Sequence, residues 1–110
     1  MIAYDDFLRV DVRAGTVLAA EPLAGARKPA YVLRIDFGPE LGERRSSAQI
    51  TGRYSAGELV GSQVCAVVNF PPKRIAGIES EVLVLGMDDA DGNVILVRPT
   101  FAVPDGRRLY

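Results

Sequence analysis

The chain has 110 residues, 48% of them hydrophobic and 25% charged, which is the composition of one ordinary globular domain. Thirteen Lys and Arg against 14 Asp and Glu leave a formal charge of −1; this excludes affinity resting on blanket phosphate neutralisation and leaves room for a local basic patch. With no histidine and a single cysteine, Cys65, Ser-His-Asp catalysis, imidazole metal sites, Cys-rich zinc sites and intrachain disulfides all fall away.

The opening MIAYDDFLRV puts two aspartates where a secretory signal would need positive charge and a long apolar run. A cytoplasmic location is expected, without membrane insertion, since the longest apolar run, Val64 to Val68, is far too short to span a bilayer. Asp5 to Val10 is predicted to form one or two helical turns, with an aspartate near the start where the helix dipole favours it. Asp11 to Ala20 reads as a strand, with Gly15 suited to a bend or bulge. Tyr31, Leu33, Ile35 and Phe37 then alternate with Val32, Arg34 and Asp36, the period of a half-buried strand, and Gly38-Pro39 stops it.

Arg44 to Ile50 reads as a third strand, unusual in carrying polar groups where a core strand should be apolar. On alternation Arg45, Ser47 and Gln49 share one face, and Arg44, Ser46, Ala48 and Ile50 the other. Ser55 caps a turn through Ala56-Gly57-Glu58-Leu59, with Glu58 at the capping-box spacing and Gly61 at its end. Val64 to Phe70, Val82 to Leu85 and Val94 to Val97 are apolar on both faces, so each needs a cover outside the barrel as well as inside. A short helix or a second subunit is the expected cover. Short strands with closely spaced turn signals predict an all-β barrel, a single domain over residues 1–110.

Charge is unevenly spread: residues 1–26 carry −2, 27–74 carry +4, 75–97 carry −5 and 98–110 carry +2. The basic middle comprises Arg27, Lys28, Arg34, Arg44, Arg45, Arg53, Lys73 and Arg74. A solvated surface and a functional patch both fit it.

Known motifs fail their tests. Gly52 to Gly57 has the glycine spacing of a phosphate loop, but Glu58-Leu59 stand where Lys-Ser/Thr would bind phosphate and Mg²⁺. Asp89-Ala90-Asp91-Gly92-Asn93 hints at a calcium loop without the bidentate acid that must follow, and a hairpin connection with a positive-φ glycine explains Gly86 to Asn93 better. Cys65 reads as a small buried hydrophobe. Glu79 and Glu81 share a strand face, yet nothing supplies the burial or substrate that a general acid/base pair requires. No catalytic residue, metal ligand or cofactor is expected. The remaining unusual segment is Asn69-Phe70-Pro71-Pro72-Lys73-Arg74 through Ser80, read as a proline-stiffened loop bearing cationic and apolar groups. The plainer alternative is a loop whose Ile75 and Ile78 tuck into the core.

The strings DVRAGTVLAAE, YVLRIDFG, SSAQITGRYSAGELVG, AVVNFPPKRIAGIESEVLVLG and VILVRPTFAVPDGRRL together resemble the tRNA-binding domain superfamily over essentially the whole chain. Within it, IDFG, SSAQIT, AVVNFPPKRIAG and SEVLVLG resemble the CsaA family of small export-related bacterial chaperones. This resemblance implies a five-stranded OB-fold barrel with short helices and terminal extensions, and a homodimer joined through Met1 to Val10 and Phe101 to Tyr110. It also implies ATP-independent binding of unfolded peptides or preproteins for export, with the secretion machinery as a further partner; the alternative is a tRNA-binding module. The ligand site it implies comprises Arg45, Ser47 and Gln49 on the third strand, then Asn69, Phe70, Pro71, Arg74, Ile75, Glu79 and Ser80. Stand-alone tRNA binders of this kind are more Lys-rich here, and Glu79 and Glu81 add negative charge.

Overall fold

A computed structural model describes residues 1–110. The N-terminal helix α1 (Tyr4–Leu8) starts one residue before the predicted turns, and the Asp6 carboxylate accepts the Ala3 N–H at 2.9 Å. The next strand, β1 (Val12–Pro22), is 11 residues long because it serves two neighbours. Its first half, Val12 to Thr16, runs antiparallel to β4 (Gln63–Val67), and Thr16 to Pro22 runs antiparallel to β2 (Tyr31–Asp36). The register shifts between Val17 and Ala19, so the bulge lies at Leu18 and not at Gly15.

Gly15 has a different task. A Cβ there would stand 2.7 Å from Ile35 Cγ2 and 2.8 Å from the Phe37 ring, closer than real atoms approach. The missing side chain is what leaves room for Ile35 and Phe37 against β1.

The alternation of residues 31–37 is realised as read: Leu33, Ile35 and Phe37 are fully buried, each contributing roughly 1.5–3 kcal/mol by leaving water. A short helical turn, α2 (Gly38–Leu41), leads to β3 (Glu43–Ala48), which pairs with β2 from Tyr31 opposite Ala48 to Asp36 opposite Glu43. The predicted facing of β3 holds, with Ser46, Ala48 and Ile50 buried and Arg45 and Gln49 exposed. Helix α3 (Ala56–Leu59) has the predicted capping box: Ser55 Oγ accepts the Glu58 N–H and Glu58 Oε1 accepts the Ser55 N–H at 2.6 Å. Its Leu59 is fully buried and joins the main core.

Three expectations need correction. The strand read as Val64 to Phe70 ends at Val67, and Phe70 is 51% exposed. The segment read as a stiff loop is a hairpin, β5 (Lys73–Ile75) and β6 (Ile78–Ser80), with Lys73 opposite Ser80 and Arg74 opposite Glu79. Its two-residue turn has φ 47° at Ala76 and 86° at Gly77, the doubly positive geometry whose twist suits adjacent strands. Alternation in Lys73 to Ile75 is too short to see through two preceding prolines. Finally, the cover found over the outward side of β4, Cys65 and Val67 with Val12 of β1, is Leu85 and Val97 of the same chain, themselves partly buried.

The last strands are β7 (Leu83–Val84), β8 (Gly86–Asp88) and β9 (Val94–Leu96). As read, Gly92 in the connection has φ 83°, though Gly86–Asp88 is itself a strand and the turn is shorter than predicted. The five-stranded sheet has the order β3-β2-β1-β4-β7 and curls into a nearly closed all-β barrel of the OB type. The C-terminal segment lines the first half of β1: Ala14 N–H donates to Arg107 O, Gly106 N–H to Ala14 O and Leu109 N–H to Val12 O. It thereby satisfies backbone groups that β2 leaves unpaired. No helix is long and apolar enough to cross a membrane.

Candidate functional site

β3 and β7 lie at the two edges of the sheet, and their seam is closed largely by side chains. One main-chain bond spans it, from Glu81 N–H to Arg45 O at 2.8 Å. Two edge donors of β3 are met by side chains: Glu81 Oε1 accepts from Arg45 N–H at 3.0 Å, and Ser80 Oγ accepts from Ser47 N–H at 3.0 Å. From the interior, the fully buried Ser46 hydroxyl donates to Val82 O at 3.1 Å. Of the polar side chains of β3 only Ser46 joins this seam, which otherwise clasps the strand's backbone N–H groups and leaves room that a full ladder of backbone bonds would occupy.

That room is a groove. Ser47 and Gln49, on the outer face of β3, line a cavity of about 400 Å³. Its other walls are Phe70 and Pro71 after β4, Lys73 and Ile75 of β5, and the run from Ser80 to Leu83. Phe70 and Leu83, each 51% exposed, give it an apolar surface that the chain itself covers only in part. A second lobe of about 520 Å³ shares Ser47, Gln49 and Ile75 and is completed by the turn holding Arg27 and Lys28. A third, of about 260 Å³, shares Ser47, Gln49 and Leu83 and extends along the β8–β9 hairpin past Asp88 and Val94.

Of the residues implied by resemblance, the groove therefore brings together Ser47, Gln49, Phe70, Pro71, Ile75 and Ser80. Arg45, Asn69, Arg74 and Glu79 are not among its lining residues. Asn69 is a tether for the N-terminal segment: its Oδ1 accepts from Asp11 N–H at 3.0 Å and its Nδ2 donates to Arg9 O at 2.8 Å. Arg74 and Glu79 face each other across the hairpin and pair at 3.1 Å, both partly exposed. The suspected carboxylate pair is thus divided, Glu79 to Arg74 and Glu81 to the β3 edge. Lys73, Glu81, Val82, Leu83, Arg27 and Lys28 are groove residues that sequence reasoning did not place there. The excess of positive charge over residues 27–74 was the signal for the three cations, and the doubly apolar run Val82 to Leu85 was the signal for Leu83, whose outer face stays 51% exposed.

Electrostatics thin the basic middle. Arg34 is bound to Glu43 at 2.9 Å, and its guanidinium holds the Glu43 carboxyl below the usual range. Arg53 lies 3.9 Å from Asp89. The Asn93 backbone N–H, then that of Asp91, lowers the Asp89 carboxyl, the side chain that ties the β8–β9 turn. Arg27, Lys28 and Lys73 make no ion pair and remain available to a ligand. No three His, Cys, Asp or Glu side chains converge as metal ligands would, and every buried side-chain polar atom has a partner.

Residues 12–108 match the model of the family described as putative tRNA binding domain. The chain is 41% identical over 108 residues to a methionine–tRNA ligase of Porphyromonas gingivalis, covering 98% of this chain and 15% of that enzyme. Its fold is similar to the crystal structure of the chaperone CsaA from Bacillus anthracis str. Ames, with TM-score 0.93, 53% identity and coverage of 100% of this chain and 99% of that one. The CsaA chaperone protein of Picrophilus torridus is similar with TM-score 0.93 and 46% identity, each chain covered to 100%.

Proposed function

Starting from the membership of this chain in the tRNA binding domain family, as a CsaA-like OB-fold protein, we propose that it is an ATP-independent chaperone holding unfolded or preprotein segments for export. The observation that carries this reading is the groove beside β3, where Phe70, Ile75 and Leu83 offer apolar surface bordered by unpaired cations. An uncovered apolar groove of this kind suits a chain whose own side chains have not yet been buried. The likeness to two CsaA chaperones along the whole chain supports it, whereas the ligase is matched over only 15% of its length. No catalytic step, metal or cofactor enters the proposal, which treats residues 1–110 as one binding domain, cytoplasmic, and handing its ligand to the secretion machinery.

A homodimer is part of the same proposal. Its support is the exposed apolar residues of the two ends, Met1, Ile2, Tyr4, Phe101 and Tyr110. Their burial against a symmetric copy would be the usual C2 solution. Light scattering at micromolar concentration tests it, and a mass of one chain rejects it.

The second reading, a tRNA-binding module, is favoured by Arg27, Lys28 and Lys73 standing free around the groove. Fluorescence anisotropy separates the two. Labelled tRNA and a labelled unfolded preprotein are titrated without ATP at low and physiological salt. A chaperone retains preprotein binding at both, because apolar burial is insensitive to salt, whereas phosphate contacts decay steeply. Salt-sensitive tRNA binding with no preprotein binding would reverse the assignment.

A further inference from the structure

The sequence runs from a basic middle, +4 over residues 27–74, into a stretch of −5 over 75–97. The fold converts that succession into polarity across the groove. At one end the exposed Arg27 and Lys28 line the lobe that meets the central cavity at Ile75. At the other the exposed Asp88 lines the lobe that meets it at Leu83. Both lobes also share Ser47 and Gln49 with the central cavity, whose other walls include Phe70, Leu83, Lys73 and Glu81.

Neighbouring charges do not cancel this polarity. Arg74 is engaged with Glu79 at 3.1 Å, Arg53 lies 3.9 Å from Asp89, and the Glu81 carboxylate accepts from Arg45 N–H. Arg27, Lys28, Lys73 and Asp88 have no partner. Resting on the chaperone reading above, we infer that the groove selects bipolar segments: an apolar stretch with an acidic group at one end and a basic group at the other. The acidic end lies by Arg27 and Lys28, the apolar side chains fill the Phe70–Leu83 cavity, and the basic end lies by Asp88. Segments with like charges at both ends leave one end facing its own sign, which costs affinity by repulsion.

Three labelled peptides with one shared apolar core test this: one with opposite charges at its ends, one acidic at both, one basic at both. Anisotropy at low salt is expected to show the bipolar peptide bound about three- to tenfold more tightly, the range for one exposed charge pair exchanged for a like-charge contact. Asp88→Lys is expected to turn the preference to the doubly acidic peptide, and Arg27→Glu with Lys28→Glu to the doubly basic one. Circular dichroism confirms folding, which exposed substitutions leave intact. Equal binding of all three peptides, or a preference unmoved by the charge swaps, overturns the inference and leaves the chaperone reading standing. Binding of none, with tRNA bound instead, overturns both.

Discussion

Two outer faces of one barrel meet opposite fates. On β4, with its neighbour β1, the outward residues Val12, Cys65 and Val67 are buried under Leu85 and Val97. Along β3 and just past its end, the outward residues Arg45 and Gln49 are exposed and Ser47 is partly so, and the nearby Phe70 and Leu83 remain half exposed. Each face begins as the solvent side of a strand, and side-chain chemistry separates them. Apolar atoms gain about 25 cal/mol per Å² when a neighbouring segment covers them, and polar atoms do not. Thus the chain folds over β4 and stops short of β3. A binding face on a small barrel can arise where the chain leaves its own apolar residues uncovered around a polar strand.

The comparison breaks most completely if the core beneath both faces is removed. Phe37→Ala deletes a fully buried ring that packs against Gly15 and should cost about 3–5 kcal/mol in guanidinium unfolding. A loss below about 1 kcal/mol would mean that the ring is not central. The covered and open faces then separate under matched truncations. Val67→Ala, on the covered side, should lower stability by about 1–2 kcal/mol, whereas Gln49→Ala should stay within about 0.5 kcal/mol. Equal losses in the melting curves would deny that the faces differ.

On the open face the expected effect is on binding. Ile75→Ala should weaken an unfolded-peptide ligand about fivefold or more, since it lines the groove. Arg74→Ala, outside the groove and paired to Glu79, should change it less than about twofold. The reverse order, with a flattened salt dependence for Arg74→Ala, is the signature of a phosphate ligand.

The smallest effect concerns Cys65. Burial pushes its thiol pKa up, so at alkaline pH the unfolded chain loses a proton that the folded chain keeps. The resulting stability is fully present below the ordinary thiol range and is lost as pH rises through the folded value. Cys65→Ala should therefore lose less stability on going to alkaline pH than the parent protein does, in parallel denaturant titrations. Identical pH profiles would show that the thiol ionises freely under Leu85 and Val97.

Local pattern determined much of this molecule from sequence alone. The alternation of residues 31–37 and 44–50 assigned which side chains face the core, because a strand's period of two leaves no other choice. Ser55 and Glu58 specified α3 through bonds made within one turn. Resemblance supplied the OB barrel and part of the groove, Ser47, Gln49, Phe70, Pro71, Ile75 and Ser80. Only the tertiary structure decided what depends on distant partners. Gly15 looked like a bulge because nothing local reveals that Phe37 will lie against it. Asn69, a ligand position by resemblance, has its amide on Asp11 and Arg9, 58 and 60 residues away in sequence, which no local pattern shows. Glu79 and Glu81 looked like a pair until the hairpin turned one to Arg74 and the seam took the other to the edge of β3. Periodicity reports which way a side chain points; what it meets there is set by the closing of the barrel.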